Sequence, residues 1–207
     1  KKGISRYINS KKIQLIYNTY NTSLFKQNNI VKVKNLVITI STITKSYYKR
    51  KGLDIFVELS KIMPEFEFVI IGKDSRDGTS EMIKKMNVKN LKLTGYLGND
   101  ELLNYIYRAN IYCQFSKQEG FGVALAEAQA CGCIPIVSSH GAITEVAGPK
   151  AFYISDQENY TEIARKVISA SNSSQKLRKE FSLRIKNLYG NNGREKAIID
   201  MIENMFQ

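Results

Sequence analysis

EGFGVALAEAQACGCIPI (residues 119–136) reads as a turn, a helix and the start of a strand in quick succession. Gly120 and Gly122 permit a tight turn and a close approach of backbone to a ligand. From Gly122 to Cys131 the residues are small and suit a helix, which Gly132 ends. Ile134–Val137 follows as a strand, and Pro135 inside it predicts a sheet edge or a strand end. Just upstream, Ile111–Phe115 is apolar enough for a further strand. The helix would offer unpaired N–H groups and the positive end of its dipole to the loop before it, which suits phosphate or sugar oxygens. Glu127 falls about one turn into that helix, so Glu119 and Glu127 can point into one crevice. Carboxylates accept hydrogen bonds from hydroxyls, as ribose and sugar rings provide, and do not ligate phosphate. The plain alternative is a glycine-rich turn with a solvated glutamate and a buried helix.

The same rhythm extends outward. Leu36–Ile43, Phe66–Ile71, Leu91–Thr94 and Phe152–Ile154 read as strands. Leu53–Met63, Asp77–Met86, Asn99–Asn110, Glu158–Ala170, Ser174–Tyr189 and Arg194–Phe206 read as helices, and TKSYYKRKG (44–52) as a polar loop. Ile13–Tyr17 is a strand candidate ahead of the rhythm. Near-continuous apolar strands alternating with helices predict an α/β fold, a Rossmann-like doubly wound parallel sheet covered on both faces. Ligands of such sheets bind beyond the carboxyl ends of the strands. The first strand is not followed by GxGxxG, which disfavours a dinucleotide.

The chain has 207 residues and a net charge of +12. Residues 1–51 hold 12 Lys or Arg and no Asp or Glu, while the rest holds 19 of each sign, so the excess sits in the first quarter. Such a segment suits phosphates, an anionic membrane or nucleic acid; the alternative is a lysine-rich composition with solvated side chains. No nucleic-acid-binding motif is present, and nucleic acid is not an expected partner. No apolar run approaches the roughly 20 residues that span a bilayer. Cys113, Cys131 and Cys133 lack metal-ligand spacing, and His140 has no companion, so neither a disulfide framework nor a zinc site is expected. A reducing cytoplasm fits, with peripheral placement at the inner face of a membrane. Residue 1 is Lys, and the opening residues do not read as a signal peptide, which suggests a fragment of a longer protein.

EGFGVALAE resembles the glutamate–seven residues–glutamate motif of retaining glycosyltransferases of family 4 (group 1), which have the two-domain GT-B fold. The resemblance also covers KRKGLDIFVEL (49–59), FVIIGKD (68–74), LTGYLGNDELLNYIYRANIYCQFS (93–116) and CGCIPIVSSHGAITEV (131–146), in the family's order and spacing. It implies that residues 36–190 are the C-terminal, donor-binding half of such an enzyme. Residues 1–35 would then be the end of the N-terminal domain and its linker. Residues 191–207 would be a final helix packing toward a missing N-terminal acceptor domain.

The resemblance further implies that Glu119 is the catalytic-centre carboxylate on the donor sugar's hydroxyls. The backbone of Gly120, Phe121, Gly122 and Val123 would meet the donor, and Glu127 would bind ribose. Lys51 matches a lysine that contacts the diphosphate. Lys45 stands where the family has an arginine, a departure that gives up the bidentate fork, and Arg50 is a compensating candidate. Leu97 would line the base. The implied donor is a nucleoside-diphosphate sugar, with no cofactor and no metal, and the acceptor a glycan or a lipid-linked acceptor. The isolated half is expected to be inactive. A non-catalytic nucleotide-sugar-binding module is the alternative. A nucleotide-sugar epimerase of GT-B architecture fits the ordered segments less well.

Overall fold

A computed structural model describes residues 16–190 and 192–204 of the chain. Six strands form one sheet: β1 (Val33–Ile40), β2 (Glu67–Ile71), β3 (Leu91–Leu93), β4 (Ala109–Gln114), β5 (Ile134–Ser138) and β6 (Phe152–Ile154). Their order is β3-β2-β1-β4-β5-β6, and every neighbouring pair is parallel. The chain winds outward from β1 to β3, returns to the other side of β1 as β4, and winds outward again to β6. This is the expected doubly wound α/β fold. Its winding reverses between β1 and β4, where a crevice opens at their carboxyl ends.

Alternation along the strands builds a core on each face. Leu36, Ile38 and Tyr112 enter one core, and Val37, Ile111 and Cys113 the other. The first core is covered by α4 (Asn99–Arg108), α5 (Val123–Ala130), α6 (Ile143–Ala147) and α8 (Gln175–Tyr189). The second is covered by α2 (Leu53–Ile62), α3 (Thr79–Lys85) and α7 (Tyr160–Ser171). Helix starts follow capping chemistry: Asn159 accepts from the Glu162 N–H at the head of α7, and Ser174 from the Leu177 N–H at the head of α8. The last helix, α9 (Asn192–Glu203), packs beside α8, with Ile199 and Ile202 half-exposed.

Three expectations need correction. The first strand spans Val33–Ile40, not Leu36–Ile43. Residues 41–43 run on beyond the strand, with the Ser41 N–H bonded to the Ile71 carbonyl at the end of β2 at 2.9 Å and the Ile43 N–H to the Lys73 carbonyl in the loop after it at 2.8 Å, where Ile43 forms an isolated parallel bridge with Asp74. The polar stretch 44–52 is not a loop throughout: Lys45–Arg50 forms helix α1. Its cap comes from a distant residue, since Asp77 accepts from the Thr44 hydroxyl and the Lys45 N–H, both at 2.7 Å. Neighbouring sequence shows no such cap. Pro135 is not at a sheet edge, because β5 lies between β4 and β6. It is the second residue of β5, where its missing N–H interrupts only the start of the ladder. The strand expected at Ile13–Tyr17 falls mostly outside the described residues, and Ile16 and Tyr17 are not in a strand.

Candidate functional site

The ends of β1 and β4 open into a cavity of about 530 Å³. Thr39, Ile40 and Ser41 form one wall, and Tyr112, Gln114 and Ser116 the other. Lys51 enters from the end of α1, and Glu119–Ala124 closes the cavity as the loop and first turn of α5. Asn18 reaches its rim from the segment before β1.

Lys51 is placed by its neighbours. Its N–H donates to the Tyr47 carbonyl at 2.7 Å, and Gly52 turns the chain out of α1 with φ +68°. A Cβ at Gly52 would overlap the side chain and carbonyl of Phe115, so the turn lies directly on the end of the β4 segment. The Lys51 ammonium then donates to Glu119 Oε2 at 2.5 Å. Both side chains are only about one-fifth exposed, at 22% and 18%, so this pair is less screened than a surface ion pair.

Glu119 receives a second bond on the same oxygen, from Gln114 Nε2 at 3.0 Å. Gly122, at φ +88°, turns the loop into α5 with its backbone against the Gln114 amide. Phe121 anchors the loop by packing edge-on against Tyr189, with ring centroids 5.1 Å apart. Ser116 is buried, and its hydroxyl has no partner among the described residues. That is the state of a donor or acceptor left for a ligand or solvent.

Glu127 sits in α5, half-buried, and is not part of the cavity lining. Burial pushes its carboxyl up to about 7, and no hydrogen bond or ion pair to its side chain is found among the described residues. The Tyr112 phenol is pushed up first by burial and then by the charges of Glu127 and Glu119, so both carboxylates lie within electrostatic reach of it.

The structure therefore brings Lys51, Glu119, Gly120, Phe121, Gly122 and Val123 together around one cavity, with Glu127 close behind. It does not bring Lys45, Arg50 or Leu97 into the lining. Lys45 is exposed at the head of α1. The Arg50 guanidinium lies 4.3 Å from the Tyr47 ring centroid, stacked on its face. Leu97 is half-buried against the core. Sequence reading missed Asn18, Tyr112, Gln114 and Ser116. Gln114 had a signal: a polar residue inside a strand buried on both faces needs a partner. Asn18 had none.

Among the described residues no group of three or more His, Cys, Asp or Glu could hold a metal ion. Among them, too, no helix is long and apolar enough to cross a membrane. The three cysteines are free and buried in the cores.

Comparison with known proteins follows the same lines. A family model described as glycosyl transferases group 1 matches residues 21–188. The chain is 28% identical over 145 residues to the phosphatidylinositol N-acetylglucosaminyltransferase gpi3 subunit of Schizosaccharomyces pombe, a match that covers 67% of this chain and 31% of that protein. It is 25% identical over 153 residues to an uncharacterized glycosyltransferase of Methanocaldococcus jannaschii, covering 72% of this chain and 40% of the relative. A glycosyltransferase from Rickettsia africae superposes with a TM-score of 0.84 at 17% identity, over 100% of this chain and 61% of that one. Anabaena HepE, solved with UDP and glucose, superposes with a TM-score of 0.78 at 15% identity, over 97% and 59%. The chain thus spans 31% of the yeast relative and 59% of the Anabaena structure. At these identities the structural likeness concerns the fold.

Proposed function

The chain belongs to the group 1 glycosyl transferases, and on that premise we propose that it is the donor-binding half of a retaining, family 4 glycosyltransferase. The full enzyme would pass a sugar from a nucleoside-diphosphate sugar to a glycan or lipid-linked acceptor. The observation that carries this reading is the Lys51–Glu119 pair in the cavity where the winding reverses, with Glu127, whose carboxyl shows no partner among the described residues, within electrostatic reach of Tyr112 in the same lining. One cation and two carboxylates match the three parts of such a donor: diphosphate, sugar and ribose.

In the reaction the bond between the anomeric carbon and the β-phosphate oxygen breaks, and its electron pair leaves with the diphosphate. Lys51 supplies positive charge where that negative charge grows. The N–H groups around Gly120–Val123 add dipoles aimed at the same region. Glu119 accepts from the sugar hydroxyls and fixes the ring, while Glu127 accepts from the ribose hydroxyls. Leu97 meets the base through its backbone. Lys45 and Arg50, outside the lining, act only through their long-range field, raising the local concentration of an anionic ligand. The acceptor oxygen bonds to the anomeric carbon on the face the diphosphate leaves, and its proton passes to that diphosphate.

The acceptor site belongs to a second domain in this reading, as the chain's 31% share of the yeast relative supports. That relative is named for phosphatidylinositol, which favours a lipid acceptor over a soluble glycan. With the basic first quarter it also favours work at an anionic membrane surface.

Calorimetric titration with UDP, GDP and ADP tests the donor site. One diphosphate is expected to bind selectively, and Glu127→Ala to weaken it about 30-fold, the equivalent of about 2 kcal/mol for bonds to a charged acceptor. Selective binding that Glu127→Ala leaves intact would remove Glu127 from the site. No binding to any of the three would count against a working donor site in this chain.

A further inference from the structure

Gln114 is the last residue of β4, in a strand whose every position is buried. An amide side chain there loses its water and needs compensation from protein groups. It has that on both ends. Its Nε2 donates to Glu119 Oε2 at 3.0 Å, and its Oε1 faces the Tyr112 hydroxyl at 3.5 Å. Tyr112 and Gln114 are two positions apart, so they share the face of β4 that carries the donor loop. Glu119 fixes which way the amide points, because turned over the amide would set its oxygen against the carboxylate; the Tyr112 hydroxyl, donor and acceptor alike, meets the other end.

Glu119 is held differently at its two oxygens. Among the described residues, Oε2 takes both side-chain bonds, from Lys51 and Gln114, while Oε1 meets only the Gly120 N–H at 3.3 Å. A diphosphate that draws Lys51 away would leave Gln114 as the remaining side-chain donor on Oε2. The carboxylate would then keep its orientation, with Oε1 turned to the ligand. Gly122 completes the arrangement: its φ of +88° disfavours any side chain there, and its backbone lies beside Gln114 Nε2.

We propose that Gln114 is a positioning residue that, braced by Tyr112, locks the Glu119 carboxylate in the orientation that reads the donor's sugar. This rests on the donor-site reading above. It assigns sugar recognition to a relay running Tyr112–Gln114–Glu119, while diphosphate recognition stays with Lys51.

The test compares a nucleoside diphosphate with its sugar nucleotide, so that the sugar's share is read alone. UDP with UDP-glucose, GDP with GDP-mannose and ADP with ADP-glucose are titrated calorimetrically into the unaltered chain, and the pair that binds is carried forward. Gln114→Met keeps length and removes both hydrogen bonds. It should weaken the sugar nucleotide about tenfold relative to the diphosphate, whose affinity stays within about twofold. Gln114→Glu, which places a second carboxylate against Glu119, should shift the ratio the same way. In a Glu119→Ala background neither change should shift the ratio further. A merely structural role would weaken both ligands together. Equal losses, an unchanged ratio, or an effect that persists without Glu119 would each overturn the proposal while the donor site stands. If no pair binds the unaltered chain, the donor-site reading falls and this inference falls with it.

Discussion

The two ends of the sheet carry cavities of similar size, about 430 Å³ at the amino end and about 530 Å³ at the carboxyl end, yet their polar groups are used differently. At the amino end, Arg178 is buried and donates to the carbonyls of Asn110, Gly132 and Ser173, and Lys32 donates to the Ile106 carbonyl. These cations close backbone groups that the strand starts and helix ends leave open. At the carboxyl end, among the described residues, the Lys51 ammonium hydrogen-bonds only to a side chain, Glu127 shows no side-chain partner, and the Ser116 hydroxyl shows none. Cavity volume does not separate the two ends. The fate of the polar groups does, because groups bonded to backbone serve the fold and groups left to side chains are available to a ligand.

Arg178→Ala should show the largest effect. It leaves buried carbonyls without a donor and should cost about 3 kcal/mol, or about 6–12 °C in melting temperature for a chain of this size. Nucleotide affinity should stay within about twofold. A mutant that melts normally but loses nucleotide would erase the distinction between the ends.

Gly52→Ala acts on the other side of the comparison. The left-handed backbone and the overlap with Phe115 should together cost about 2 kcal/mol. Because the turn carries Lys51, nucleotide affinity should also fall, by roughly tenfold if the lysine loses one charge-assisted contact. Thermal melting and calorimetry on one sample separate the two losses; unaltered affinity would show that Lys51 does not rely on this turn.

The most gradual effect comes from pH. Burial raises the Glu127 carboxyl to about 7, above its ordinary value, so the folded chain binds this proton more tightly than the unfolded chain. Its contribution to stability is therefore full below about 4.5 and is lost as pH rises through about 7. Ligand binding runs the opposite way, since ribose hydroxyls bond best to the ionised form. Affinity should fall by up to about tenfold per pH unit below about 7 and level off above it. Glu127→Gln should flatten this component and leave only the ligand's own titration; an identical profile in that variant would assign the dependence to the diphosphate.

Much of the fold was legible because the strands are apolar on both faces and bounded by Gly or Pro, as at Phe66–Ile71 before Gly72. The boundaries failed where distant residues decided them. α1 is capped by Asp77 from the loop after β2, whose carboxyl is held far below its ordinary range first by the Thr79 hydroxyl and then by the Lys45 N–H and Thr44 hydroxyl. In the site, the glycine turn was legible from the residues themselves, while Glu119 was singled out by the family resemblance of its motif. Asn18 was not, since it arrives from a segment without periodicity. Lys45 matches a diphosphate cation by its position in the sequence, but it lies on the first turn of α1, away from the cavity lining.

The contact between Lys51 and Glu119 lets the site mask its own charge. The cation is already neutralised, so a stray anion meets no free charge on it. Free phosphate or pyrophosphate could draw Lys51 away only by leaving the Glu119 charge without its cation, with the neutral Gln114 amide as its remaining side-chain donor, in a partly buried place. On the proposed reading a sugar nucleotide would replace both halves of the pair at once, offering phosphate to the lysine and hydroxyls to the glutamate. The pair would then work as a two-key lock. It would discriminate against anions that are abundant in any cell through the penalty of a weakened carboxylate site rather than through any added attraction to the right ligand.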